Sequence, residues 1–554
     1  MRVRTITVTE RYLMLPVADS QGWFLAPGVK QYLRIYVHGK LLLELETALS
    51  DAPRANLPLD MAHYTGQKLT CELEGGNEQL LDALYMQSEY DVQSAALSEP
   101  LRPIYHFTPL GGFMNDPNGL MQIGDTYHLF AQSNPAGFGV GNTHWLHAIS
   151  RDMLYWRYLP CALMPDESGR MYSGGGVVDV NNTSGLGRGK THPPVFLFYT
   201  AAGSKSRLSR GKPFEIAAAY SLDDGMTFTK FAEPLIRHAS FMNRDPKVEW
   251  VDEENCWFMV VYLDNDIYRL YRSDNLLDWS FVQDQRIDHA AECPDIFRIY
   301  LDGRTDQPRW VLWGSPDCYL IGRFSNGHFI PDGPAIDGPV HQKYDPYGIL
   351  ARSPGGYAAQ TFTGLNDGRI VQLAWIRSSQ HAGSFVSCMS VPMEMRLITT
   401  SCGERLSLKP IEELSTLYDK EFTFTGGGIE ELSHIPPQCL SEAMDISMSM
   451  TLASGRLIAL TIRGVLLVYN PDTQRLILPW GAYKLMPING ELKLRILVDR
   501  CSMELFSDDG VFHLSAAISP DPSDTAIRTV DIDPATGIDF SVHTLKNIWI
   551  RSDQ

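Results

Sequence analysis

Over the first hundred residues apolar and polar positions alternate in short runs. Thr5 to Thr9 alternates. Tyr32 to Val37 is mostly apolar and turns at His38-Gly39 into Leu41 to Leu45, and Gln67 to Leu73 alternates again. Alternation marks a half-buried strand, and two such runs joined by a glycine turn mark a hairpin. Residues 1–100 are therefore expected to form a small, sandwich-like β domain, with one short helix over Gln79 to Met86. The stretch carries no catalytic constellation and reads as a packing or carbohydrate-contact module.

From residue 101 the pattern becomes periodic. Five strongly apolar runs, Tyr127 to Gln132, Val195 to Thr200, Cys256 to Val261, Arg309 to Gly314 and Ile370 to Ile376, recur at intervals of about sixty residues. A second echo follows three of them: Ser150 to Trp156, Ser221 to Phe228 and Ser273 to Trp279 each run from a serine through a polar turn to an aromatic. Phe324 to Phe329 shortens the same hairpin. Several antiparallel strands per unit, repeated five times, predict a five-bladed β-propeller over residues 101–405. The repetition stops near residue 402. Residues 406–420 are expected to be a linker, with a short helix near Pro410 to Leu417, and residues 421–554 a C-terminal β-sandwich of short, partly alternating strands. The expected fold class is all-β.

Three acidic motifs share one place in this repeat. Asn115-Asp116-Pro117 opens the first unit, Arg244-Asp245-Pro246 the third and Glu292-Cys293-Pro294 the fourth. A lone Asn-Asp-Pro reads as well as a capped turn. Three carboxylates, each before the first strand of a unit, read differently. The first strand of a propeller blade lines the central axis, so Asp116, Asp245 and Glu292 are expected to converge at one end of the funnel.

Composition narrows the chemistry. Apolar residues make up 44% and charged residues 20%, as in a globular chain. With 47 basic against 65 acidic residues the charge is −18, which argues against nucleic-acid and anionic-membrane partners. Nine scattered cysteines without a Cys-x-x-Cys pair suggest neither a disulfide framework nor a zinc site. Free thiols, and a start without an apolar leader core, lead to the expectation of a cytoplasmic protein.

Converging carboxylates without a histidine cluster suit glycosidic bond cleavage: one attacks, one donates a proton, and a third charge stabilises an oxocarbenium-like transition state. Arg244 is expected to favour ionised Asp245, and the two aspartates are expected to raise the pKa of Glu292. The three motifs together resemble glycoside hydrolase family 32, the invertase, inulinase and levanase family. His144 to Ala148, Tyr172-Ser173-Gly174, Asn181 to Gly185, Tyr357 to Phe362 and Glu504-Leu505-Phe506 add to the likeness. The resemblance implies that Asp116 is the nucleophile, Asp245 the transition-state stabiliser and Glu292 the acid/base. It places Asn115, Gln132, Tyr172, Ser173, Arg244 and Cys293 around the fructosyl unit. It further implies release of terminal β-fructofuranosyl units from sucrose, fructo-oligosaccharides or fructans with retention, and no cofactor or metal.

Departures from the family bear on the substrate. Relatives often carry Trp-Gly-Asn where this chain has Val140-Gly141-Asn142. Phe138, two residues earlier, is a candidate for the missing aromatic wall. The alternative is that Val140 only packs its loop and another blade or the N-terminal domain closes the pocket. Trp145, Trp156 and Trp279 are expected to pack blades, His106 to be structural, and Cys293 to be a pocket thiol rather than a nucleophile, for want of a histidine partner. Two other functions stay open at this point: a fructosyltransferase on the same scaffold, and a sugar-binding propeller without activity. Linkage preference, exo or endo action and oligomeric state are not fixed by the sequence.

Overall fold

The computed structural model describes residues 2–19, 30–187, 192–339, 356–378, 383–452, 456–531 and 536–550. The N-terminal domain is two sheets face to face. One has the order Val3–Thr7, Lys68–Glu74, Gln31–Val37, Lys40–Thr47, and the other Ala55–Asp60, Tyr12–Val17, Tyr85–Gln87. Leu33 and Ile35 face Leu43 and Leu45 across the hairpin register and are buried in its core. Strand Tyr12–Val17 is buried along its whole length, so it shows no alternation. The helix expected over Gln79 to Met86 is instead a 3-10 turn, Glu78–Ala83, followed by the edge strand Tyr85–Gln87. Asn77 caps that turn by accepting from the Gln79 N–H, which favours a short turn over a longer helix.

Five sheets, each with four strands in sequence order, form the propeller. Their inner strands are Gly112–Ile123, the broken pair Arg170–Tyr172 and Gly176–Val178, Arg244–Val251, Glu292–Tyr300 and Gly356–Thr361. These strands pack one against the next in a closed ring. The five apolar runs are the second strands. Val195–Ala202 and Cys256–Tyr262 are buried at every position because a neighbouring sheet covers each face. The serine echo is one turn used three times. Ser150 pairs with Asp152, Ser221 with Asp223 and Ser273 with Asn275, and each acceptor then takes the N–H groups of the following turn. The Trp156 and Trp279 indoles donate to carbonyls of these turns, and Trp145 is fully buried, so all three pack blades.

The last strand of the fifth sheet is Gly403–Pro410, so residues 406–410, expected in a linker, are propeller strand instead. A 3-10 turn, Glu412–Leu417, leads into Tyr418–Gly427, which pairs with Ile538–Leu545 in the C-terminal unit. That unit stacks a six-stranded on a five-stranded sheet around one apolar core.

Candidate active site

Each motif carboxylate lies at a break in the pairing of an inner strand. The register with the second strand shifts between Met114 and Pro117, between Arg244 and Lys247, and between Glu292 and Asp295. A bulge frees one or two residues from the ladder and re-aims their side chains. Pro117, Pro246 and Pro294 fit there because proline has no N–H to lose from the ladder. Asp245 and Cys293 hold positive φ angles of 62° and 49° within these bulges. The fifth sheet repeats the device between Tyr357 and Gln360, with Ala358 at φ 51°. Four blades thus turn residues toward the axis at one level.

Asp116 is 9% exposed. Its Oδ2 accepts from Ser173 Oγ at 2.5 Å, Gln132 Nε2 at 3.3 Å and Cys293 Sγ at 3.8 Å. Gln132 also donates to Ser173 and accepts from Asn115 Nδ2 at 3.0 Å. Burial pushes the Asp116 carboxyl up to about 6; the Ser173 hydroxyl opposes that rise and the Glu292 charge adds to it. Asp245 is fixed through its N–H, which donates to Thr200 Oγ1 at 2.8 Å, and its Oδ2 accepts from the Cys293 N–H at 3.1 Å. Burial raises it to about 7. Arg244 pulls toward the ionised form as expected, but burial, with the charges of Glu292 and Asp116, outweighs it. Arg244 Nε and Nη2 donate to Glu292 Oε2 at 3.1 and 3.0 Å. The Tyr357 hydroxyl donates to Glu292 Oε1. The Glu292 side chain is 30% exposed against 7% for Asp245, so it faces the opening.

The nine residues singled out from sequence thus come together. Tyr172 is half-buried, edge-on to Phe214 at 5.7 Å and close enough to Arg170 and Arg244 for both to act on its hydroxyl. The Cys293 thiol is pushed well above its ordinary value by burial and then by the charges of Asp245 and Asp116, so it stays protonated. Tyr357 and Thr200 were not singled out. The signal for Tyr357 was its position in the fifth unit, equivalent to the three motifs; Thr200 acts through a backbone contact that leaves no sequence mark. Among the described residues no group of three or more His, Cys, Asp or Glu is arranged to hold a metal ion.

Phe138 is not the missing wall. It is 1% exposed inside the apolar core of the N-terminal domain, with the Arg54 guanidinium 4.3 Å above its ring, and Val140 packs on the same cluster. The Phe138 ring is drawn into this core because the N-terminal domain packs on the loop.

Comparison with known proteins agrees with this geometry. Residues 106–410 match the model for the glycosyl hydrolases family 32 N-terminal domain, and residues 468–545 that for the family 32 C-terminal domain. The levanase of Bacillus subtilis is 31% identical over 510 residues, 82% of this chain and 72% of the relative. The extracellular exo-inulinase of Aspergillus niger is 30% identical over 524 residues, 81% and 96% of the two chains. The crystal structure of exo-inulinase from Aspergillus awamori superposes with a TM-score of 0.69 at 28% identity, covering 82% of this chain and 99% of that one. These relatives correct the expectation of a cytoplasmic protein, since those matching over most of the chain include enzymes named extracellular. Unpaired thiols are a poor guide to compartment here: Cys71, Cys256, Cys293, Cys318, Cys388 and Cys439 are buried, and a buried thiol is inert wherever the protein resides. With propeller and sandwich both matched, and the carboxylates of three blades gathered at one mouth, the chain belongs to glycosyl hydrolases family 32 and is a glycosidase.

Proposed function

We propose that the protein removes terminal β-D-fructofuranosyl units from sucrose, fructo-oligosaccharides or fructans with retention of configuration. The observation that carries this reading is the meeting of Asp116, Asp245 and Glu292 from three inner strands, linked through Cys293 and Arg244. Asp116 attacks the anomeric carbon. With its carboxyl near 6 it is mostly ionised at neutral pH, and Ser173 and Gln132 fix one of its oxygens in place. Glu292, at the open side, protonates the leaving oxygen and then takes a proton from the water that hydrolyses the fructosyl-enzyme. Asp245 lies behind the sugar and supplies charge to the oxocarbenium-like transition state. Asn115, Gln132, Tyr172, Ser173, Arg244 and Cys293 shape the pocket for the fructosyl unit. The test is release of fructose from a panel of sucrose, kestose, inulin and levan. Fructose from at least one of them, lost in Asp116→Ala, is the expected result; no release from any would overturn the reading.

A further inference from the structure

The N-terminal domain lies outside the matched family models, yet it is built into the rim of the site. Its strand Lys40–Thr47 ends on the blade-one loop. The Glu46 N–H donates to Asn142 Oδ1 at 2.8 Å, Asn142 Nδ2 donates back to the Glu46 carbonyl at 2.7 Å, and Thr47 Oγ1 donates to the Ala136 carbonyl at 2.9 Å. On another side its core takes in Phe113 and Trp375, and Tyr357, whose hydroxyl holds Glu292, packs against that core. The domain therefore spans the rim from the fifth blade through the first to the second.

Where it meets blades one and two there is a cleft of about 170 Å³, lined among others by Lys30, Glu46, Asn134, Val140, Arg170 and Lys205. The Glu46 carboxylate is part of its wall, held by Lys30 Nζ at 2.9 Å and Arg170 Nη2 at 3.2 Å. The cleft neighbours the active site along two strands. Side chains two apart on a strand share a face, about 7 Å apart. Asn134 thus follows Gln132, which holds Asp116, and Arg170 precedes Tyr172, which stands between Arg170 and the catalytic groups.

We infer that this cleft is a leaving-group subsite. The second sugar of the substrate sits in it, with hydroxyls on the Glu46 carboxylate and on Lys205, and the N-terminal domain is thereby a specificity element. The inference rests on the proposed fructosidase reading. A carboxylate braced by two cations on a mostly polar wall is suited to polyhydroxylated ligands: it accepts from hydroxyls while the cations donate to them.

The experiment compares sucrose and kestose with methyl β-D-fructofuranoside, whose leaving group is too small to reach the cleft. The readout is the ratio of kcat/KM for each sugar substrate to that for the methyl glycoside, in the full chain and in Glu46→Gln and Lys205→Ala. The ratio is expected to fall about five- to ten-fold, mostly through KM, on loss of one such contact. A ratio unchanged in both variants overturns the inference, whether the rates themselves hold or fall together; an equal fall means only that docking was loosened. Lys205 is included because Glu46→Gln could undo the domain contact, whereas the Lys205 ammonium lies over the Phe214 ring of the second blade at 5.5 Å. A wild-type chain that cleaves none of the three substrates defeats the fructosidase reading instead.

Discussion

Arg244 clasps Glu292 on the next blade rather than Asp245 beside it in sequence. Its contacts to Glu292 Oε2 are 3.0 and 3.1 Å, while its nearest approach to Asp245 Oδ2 is 3.7 Å. The ring of Tyr262 lies 4.6 Å from the guanidinium carbon and fixes its plane. The arginine thus orients the exposed carboxylate by hydrogen bonds and acts on Asp245 by charge alone. Arg244→Lys keeps the charge but loses the planar fork and the stacking. Its kcat/KM for sucrose is expected to fall about 10²-fold, in the range for one lost oriented donor, with an unchanged melting profile. A fall of less than about threefold would show that Glu292 needs no such clamp.

Asp116→Ala and Glu292→Ala are each expected to fold and to lose turnover by several orders of magnitude, since general acid assistance alone contributes about 10²–10⁴. The two carboxyl groups are expected at the separation of a retaining pair, roughly 5–5.5 Å. NMR of the first-formed sugar checks the consequence. β-Fructofuranose should appear before mutarotation; α-fructofuranose first would mean inversion.

The acid limb of kcat/KM is expected between about pH 6 and 7, where Asp116 and Asp245 titrate. As pH falls through that range first the stabilising charge and then the nucleophile is protonated, and activity is lost. The Ser173 hydroxyl bonds the ionised carboxylate and so works against burial. Ser173→Ala removes that bond, and the limb should move toward neutral pH, with a smaller loss of rate well above neutrality. A pH profile whose limb stays put, or moves to lower pH, would mean that another group governs it.

The strands of the propeller were legible because they carry their own signal. Val195–Ala202 and Cys256–Tyr262 are apolar end to end, and the Ser150, Ser221 and Ser273 turns repeat their polar contacts in sequence. The bulges were not legible, although Pro117, Pro246 and Pro294 mark them, since a proline after an acid reads equally as a turn. The partners of the carboxylates were harder still. Arg244 sits next to Asp245 in the chain and does favour its ionised form, but its hydrogen bonds go to Glu292, and only the relative position of two blades decides that. Phe138 failed for a related reason: an aromatic near the pocket in sequence was claimed by the core of a domain that ends before the propeller begins.

His106 joins the propeller to the sandwich as a buried cation. Nδ1 donates to Asp499 Oδ2 at 2.8 Å and Nε2 to Glu504 Oε2 at 2.9 Å, and all three side chains are fully buried. Asp499 also accepts the Ile104 and Tyr105 N–H groups, and Glu504 accepts from Ser515 Oγ and the Val391 N–H, so each carboxylate ties the sandwich to the propeller or to itself. Burial pulls the imidazole down, but the two carboxylates win and raise it to about 10. The folded value lies above the unfolded value of about 6.5, so the stabilisation is complete below about pH 6.5 and is lost as pH rises toward 10. His106→Ala leaves two buried carboxylates without their cation, and breaking such a pair costs about 3–5 kcal/mol. The variant should therefore melt well below the wild type at neutral pH while keeping its activity at low temperature, because His106 touches no group of the site. The gap in Tm between the two proteins, followed by calorimetry, should narrow as pH climbs from neutral toward 10. A gap that stays constant across that range would show that His106 is neutral in the folded protein and that packing alone accounts for its role.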